Sequence, residues 1–300
     1  MDIDLDDLQI FVAVARAGGF REAARARGAS PSGLSDAVRR LEQRLGARLL
    51  NRTTRSVTPT EAGRTLLERL GPALGEVEAA LGAVADAGGQ PAGILRLNVP
   101  LAASRLVLPD IVPRFLTAYP DITLEVTAED RFVDVLASGC DAGIRYEEAL
   151  EQDMIALPIG PRVQRLAAAA APAYLARHGR PTHPDQLPAH ACLAGRFAGG
   201  PVVQWQFERA GEVVHVNPRG PLIVRLGITA DLAVQAAVAG SGIVYLFEDW
   251  LRPYFESGAL APVLEDWWPS ISGPWLYYSG RRLVPAPLRA FVDFIKGDAG

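Results

Sequence analysis

Between Gly19 and Ser56 the chain reads GFREAARARGASPSGLSDAVRRLEQRLGARLLNRTTRS, and its punctuation leaves few folds open. Ser30 can accept a hydrogen bond from an unpaired first-turn N–H. Pro31 brings a fixed φ and no N–H, which suits a first helical position, so a helix is expected to begin there. Leu34, Val38, Leu41 and Leu45 then recur at steps of four, three and four, one apolar stripe along that helix. Gly28 marks a turn before it, and Ala23 and Ala24 belong to a short preceding helix that the stripe would face. After Gly46, Arg48 to Leu50 and Val57 to Thr58 read as two short strands, with Asn51 to Ser56 as their tip. Helix, turn, helix and hairpin in this order make a winged helix-turn-helix.

The stripe sends Ser32, Ser35, Asp36, Arg39 and Gln43 to the opposite side of the second helix. Short hydroxyls early and an arginine one turn later suit a helix whose start meets base edges and whose later part meets phosphate. Arg52 and Arg55, with Thr53 and Thr54, fit a wing lying along a phosphate backbone or in a minor groove. Asp36 would repel phosphate, so it is expected to pair with a neighbouring arginine such as Arg40, or to accept from a cytosine amino group. Residues 16 to 55 hold ten Arg against Glu22, Asp36 and Glu42, a balance of +7 within a chain of net charge −4. Basic charge concentrated in one terminal module points to double-stranded DNA as its partner.

The segments Leu8 to Ala15, Gly19-Phe20 with Ala23-Ala24, Ser30 to Ser35 with Arg39 to Glu42, Leu45 to Arg55 and Thr58 to Gly63 resemble the N-terminal domain of the LysR-type transcriptional regulators. The resemblance is dense over about the first 65 residues and continues to the C-terminus, where Asp141 to Arg145 and Leu264 to Trp267 are similar to one large subgroup. It implies an α/β protein with an N-terminal winged helix-turn-helix, a long linker helix and a C-terminal two-lobed domain of the periplasmic-binding-protein type 2 kind. It further implies a sequence-specific DNA-binding regulator, controlled by a small-molecule effector held between the lobes. Carried over onto this sequence, the DNA-binding set is Ser30, Pro31, Ser32, Ser35, Asp36, Arg39, Arg52, Thr53, Thr54 and Arg55. Further copies of the chain, as a dimer or tetramer, and RNA polymerase are the other implied partners; no cofactor is implied. Pro31 stands where many members carry Gln, and Asp36 where a basic or imidazole side chain is frequent, so base preferences do not carry over.

Residues 59 to 88 read as the joint between a DNA-binding domain at 1–58 and an effector domain at 93–300. Leu67, Leu70, Leu74, Val77, Leu81 and Val84 recur at three, four, three, four and three, a heptad seam that favours a dimerisation helix over packing within its own domain. Gly71-Pro72 interrupts it, and a bend rather than a break is expected. Ala87 to Gly93 reads as a linker.

Beyond the linker, strands at Ile94 to Val99, Ile122 to Thr127 and Ala142 to Ile144 alternate with helices at Ser104 to Tyr119 and Phe132 to Ala137, which predicts a parallel sheet covered by helices. A second set starts at Gln164 to Ala169 and includes a helix at Thr229 to Ala239 and a strand at Ile243 to Leu246. A strand at Trp275 to Tyr278 and a helix at Pro287 to Lys296 are expected to return to the first lobe. The periods alone support only α/β; the resemblance implies two lobes, with lobe I at about 93–163 and 269–300 and lobe II at about 164–268. Ligands in such sheets lie at the C-terminal ends of strands, near helix N-termini. Pro100, Ala102, Ser104, Glu129, Arg145, Phe197, Thr229 and Tyr245 are the effector-binding candidates. Taken singly, Ser104 and Thr229 each read first as an N-cap, but two of them on opposite lobes point to a site, and Arg145 could neutralise a carboxylate-bearing effector or pair with Glu147 or Asp141.

At 300 residues with 49% hydrophobic content the chain can fill about two cores. The acidic start MDIDLDDLQ and the lack of a membrane-length apolar run suggest a cytoplasmic protein with no membrane partner. Cys140 and Cys192 form no CxxC, and His178, His183, His190 and His215 show no metal spacing; reduced thiols are favoured over a redox switch. GxSxG, HExxH, Walker and GxGxxG motifs do not occur, which argues against an enzyme. Residues 93–300 alone would also suit a solute-binding receptor, a reading disfavoured by the attached DNA-binding module.

Overall fold

The computed structural model describes residues 3–52, 57–85, 90–128, 139–146, 154–280 and 284–298. The chain folds as two compact units, one built on Met1–Gln90, the other on Pro91–Phe132, Ala142–Arg281 and Pro287–Gly300. The first unit begins with α1 (Leu5–Ala17), α2 (Phe20–Arg27) and α3 (Pro31–Leu45). Gly28 ends α2 in the left-handed conformation at φ 62°, a turn open to a residue without Cβ. The α3 stripe buries Leu34, Val38 and Leu41 with Phe11, Val14, Ala23 and Ala24, so the apolar spacing in the sequence becomes the core of the three-helix unit.

The wing is β1 (Leu50–Arg52) paired antiparallel with β2 (Val57–Pro59), two residues further along than the sequence places the first strand. Next comes α4 (Glu61–Ala85), continuous through Gly71-Pro72. Thr60 caps it by accepting from the Gly63 N–H at 3.0 Å while donating to the Arg48 carbonyl at 2.7 Å.

The second unit opens with β3 (Gly93–Val99), α5 (Leu101–Leu106), α6 (Leu108–Ala118), β4 (Ile122–Ala128), β5 (Ala142–Arg145) and β6 (Met154–Pro158). The chain then enters a second lobe: β7 (Val163–Ala170), α7 (Pro172–His178), β8 (Cys192–Arg196), the hairpin β9 (Trp205–Arg209) and β10 (Glu212–Val216), β11 (Ile223–Arg225), α8 (Leu226–Val238), β12 (Ile243–Phe247), α9 (Glu248–Glu256), β13 (Ala261–Val263) and β14 (Ser270–Ser272). It returns through β15 (Trp275–Ser279) and α10 (Ala286–Asp298). Lobe I is a sheet in the order β4-β3-β5-β15-β6, and lobe II one in the order β11-β8-β12-β7-β13 with β14 on β7.

Two expectations change. The sheets are mixed, not parallel: β3 runs parallel to β4 and β5, but β15 is antiparallel to β5 and β6, and β7 to β12. A strand that arrives after crossing from the other lobe enters from the opposite end of the sheet, which fixes that direction. The return to lobe I also begins at Trp275 rather than 269, because Ser270–Ser272 is still paired with Val163–Arg165. The expected helix at Phe132 to Ala137 lies outside the described residues.

Candidate nucleic-acid interface and effector cleft

Ser30 caps α3 as its sequence implies, its Oγ accepting from the Gly33 N–H at 3.1 Å. With Leu34, Ala37, Val38 and Leu41 buried, Pro31, Ser32, Asp36 and Arg39 stand exposed along the opposite face and Ser35 is half-buried. Asp36 does pair with an arginine, but with Arg39 at 3.4 Å and not with Arg40. Arg40 lies on the side of α3 that faces α1 and reaches the buried carboxylate of Asp7 through Nη2 at 2.6 Å and Nε at 3.4 Å. That carboxylate holds the Arg40 guanidinium above its ordinary pKa and ties α3 to α1.

Arg52 is not a free wing cation. Its Nη1 donates to Ser35 Oγ at 3.1 Å and its Nη2 to Glu42 Oε2 at 3.1 Å, and its guanidinium lies over the Phe20 ring at 5.0 Å. The other Glu42 oxygen accepts from the Leu49 and Leu50 N–H groups at 2.9 and 3.1 Å. Strand β1 is thereby stitched to α3 and α2 by the Arg52 and Glu42 side chains. Thr53, Thr54 and Arg55 lie outside the described residues.

In the second unit α5 meets α8. Leu101, Ala102 and Leu106 pack on the cluster that contains Ala230, Ala233 and Trp250, and Arg105 pairs with Asp231 while lying over the Trp250 ring at 4.4 Å. The candidates Ser104 and Thr229 therefore sit on facing elements, yet neither is an N-cap. Ser104 Oγ donates to the Leu101 carbonyl at 2.8 Å, inside α5, whose cap position is Pro100. Thr229 sits at a kink with φ −123°, and its Oγ1 accepts from the Arg225 N–H at 3.0 Å and donates to the Arg225 carbonyl at 3.2 Å. Arg145 is engaged by Asn98, donating to its Oδ1 at 2.7 Å and to its carbonyl at 3.2 Å, and to the Ile144 carbonyl at 2.6 Å.

Tyr245 is half-buried against the lobe II core: it stacks on Trp205 at 5.2 Å, and its hydroxyl donates to the Gln206 carbonyl, which pins the β9-β10 hairpin. Burial raises that phenol well above its ordinary pKa. Phe197 is exposed, and Glu129 lies outside the described residues. Neither Cys140 nor Cys192 is in a disulfide, and burial raises Cys192 to about 11, which keeps it protonated at neutral pH.

Two buried polar groups at strand ends escaped the sequence reading. Tyr146, directly after β5, lies against Phe247 in a tilted ring contact with centroids 5.1 Å apart, and its buried hydroxyl has no hydrogen-bond partner among the described residues. Gln164, near the start of β7, is 3% exposed, and neither its amide oxygen nor its nitrogen has a partner among the described residues. A glutamine at a strand end carries no local signal of burial, so only the folded chain reveals either.

The seam on α4 divides. Leu74 is 8% exposed and belongs to the core of the first unit, with Leu67 and Leu70 packed against that core, whereas Val77 is 42% exposed. Three of the six seam positions are thus satisfied within their own domain, where the heptad spacing predicted a second chain. The side chains of Leu81 and Val84 lie outside the described set.

A capped helix and wing in one unit, with two crossed-over sheets in the other, define a DNA-binding protein that carries a ligand domain. The family described as "Bacterial regulatory helix-turn-helix protein, lysR family" matches residues 5–64, and "LysR substrate binding domain" matches residues 88–300. The chain belongs to the LysR family of transcriptional regulators. It is 40% identical over 296 residues to the uncharacterized HTH-type transcriptional regulator YcaN of Escherichia coli K12, covering 99% of this chain and 96% of that protein. The HTH-type transcriptional regulator PgrR of the same organism is 35% identical over 294 residues, with 98% and 97% covered. Among solved structures, the full-length Vibrio cholerae virulence activator AphB superposes with a TM-score of 0.64 at 28% identity, covering 98% of this chain and 99% of that one. CrgA of Neisseria meningitidis gives 0.59 at 26%, covering all of both chains.

Proposed function

We propose that this regulator reads DNA through the first two turns of α3 and the wing tip, and that a small molecule in the lobe cleft alters that reading. The observation that carries the proposal is the row of exposed Pro31, Ser32, Asp36 and Arg39 with half-buried Ser35, on a helix whose other face is spent on the core. Ser30 sets the start of that row, and Thr53, Thr54 and Arg55 extend it along the backbone of the duplex. The chain works as a cytoplasmic, non-catalytic homodimer or homotetramer that contacts RNA polymerase, with Val77 on the uncovered side of α4 supporting the dimer.

In the cleft, Pro100 and Ala102 at the start of α5, with Tyr146 and Gln164, are the effector contacts. Their orphaned hydroxyl and amide supply a donor and acceptors that a bound ligand satisfies. A carboxylate effector has to displace Asn98 from Arg145, so it binds by exchanging one acceptor for another.

Titration of the chain with a double-stranded oligonucleotide at stepped salt tests the DNA half: log K falls linearly with log salt, and Arg39→Ala lowers that slope by about one. A chain with no salt-dependent retention on duplex overturns it. A thermal-shift screen against carboxylates and their neutral amides tests the cleft: a hit raises the melting temperature of the parent, and Gln164→Ala abolishes that rise. A hit whose shift survives in both Gln164→Ala and Tyr146→Phe binds elsewhere.

A further inference from the structure

We propose that Arg52 is a positioning residue for base reading: it fixes the Ser35 hydroxyl as a donor aimed at DNA, and is not itself a phosphate clamp. The inference rests on the reading that α3 enters the major groove. Arginine has donors only, so Ser35 Oγ accepts the 3.1 Å bond from Arg52 Nη1, and the serine's own O–H proton stays uncommitted. A guanidinium beside the oxygen repels a second N–H donor and polarises the O–H outward.

Glu42 holds the guanidinium in that pose. One carboxylate oxygen is spent on the Leu49 and Leu50 N–H groups and the other on Arg52 Nη2, while Phe20 covers the cation's face. The Glu42 side chain is 14% exposed, so the carboxylate is shielded from water and from screening ions. Hydrogen-bond polarity therefore runs from the wing to the helix and outward: Arg52 to Ser35 to the DNA. A serine fixed in this sense recognises acceptors, which in the major groove are guanine N7 and O6, adenine N7 and thymine O4, and discriminates against amino groups.

The full-length chain, bound to a pool of random-sequence duplexes and read by sequencing the bound fraction, tests this. Ser35→Ala is expected to erase preference at one position of each half-site. Arg52→Lys keeps a cation on the wing but loses the two-pronged fork; it should erase the same position, and Ser35→Ala/Arg52→Lys should erase no more. On a scrambled duplex the salt slope of Arg52→Lys should equal that of the parent. At the affected position, a base analogue lacking the acceptor (a 7-deazapurine, or 5-methyl-2-pyrimidinone for thymine) should weaken the parent about tenfold, and one lacking the amino group should not.

If Arg52→Lys keeps the position that Ser35→Ala erases, the positioning role is overturned while base reading by Ser35 stands. If Ser35→Ala erases no position, or the parent enriches no motif, the reading of α3 itself fails and this role with it. A circular-dichroism melt of Arg52→Lys matching that of the parent separates a loss of positioning from a loss of fold.

Discussion

Tyr174 lies between two imidazoles, its ring stacked on His178 at 4.5 Å and its hydroxyl 3.3 Å from His190 Nδ1, while that hydroxyl accepts from the Ala191 N–H at 2.9 Å. Desolvation, reinforced by the neighbouring His178, lowers the His190 pKa below its ordinary 6.5. The unfolded chain thus binds the proton more readily than the native one, so the stability due to neutral His190 is complete above pH 6.5 and lost as pH falls below it through the depressed value. Melting curves at pH 7.5 and 5 should show a smaller acid-induced drop for His190→Gln than for the parent; equal drops would remove His190 from the acid response. Residues of this kind mark the boundary of what a sequence discloses. The Ser30 cap was legible because a cap is local, with donor and acceptor three residues apart. The partners of Arg52 were not: Phe20, Ser35 and Glu42 lie 10 to 32 positions away and converge only once α2, α3 and the wing are packed.

Helix α4 shows how one pattern serves two purposes. A heptad stripe reports only that one face of a helix is buried, and burial against its own domain satisfies it as fully as burial against a second chain. Leu74→Asp puts a charge into the core of the first unit and should unfold it in the melt, whereas Val77→Asp should leave the melt of that unit unchanged and weaken self-association in sedimentation. A Val77→Asp chain that associates like the parent would place the oligomer contact elsewhere. The start of α4 carries a second constraint, one that neither period nor composition announces. A Cβ on Gly63 would stand 2.0 Å from the Leu49 carbonyl oxygen, so the helix and the strand leading into the wing touch backbone to backbone. Gly63→Ala should cost about 1 to 3 kcal/mol in urea denaturation and disturb the Leu49 and Leu50 N–H groups that Glu42 holds. An Ala variant as stable as the parent would show that the wing can retreat freely.

At the scale of the whole chain, alternating strand and helix periods were enough to read α/β lobes, but strand direction was not. Direction depends on where the crossovers enter each sheet. Within the second unit the lobes are held by two kinds of contact that respond differently to the medium. The apolar packing of Leu101, Ala102 and Leu106 on the lobe II cluster is indifferent to salt. The Arg105–Asp231 pair is not, since its side chains are 36% and 55% exposed and screening reaches both. Asp231 also accepts from Trp250 Nε1 at 3.0 Å, and the ring of that tryptophan carries the Arg105 guanidinium, so one carboxylate orders a three-residue clasp across α5, α8 and α9. Asp231→Asn keeps an acceptor for the indole but removes the charge. Amide hydrogen exchange in α5 should then rise about two- to fivefold, with the β3-β4 pair unaffected, and salt at about 0.5 M, where the Debye length is roughly 4 Å, should reproduce the change in the parent. If exchange in α5 is unchanged by both, the apolar contacts alone hold the lobes, and an effector would have to open the cleft against them.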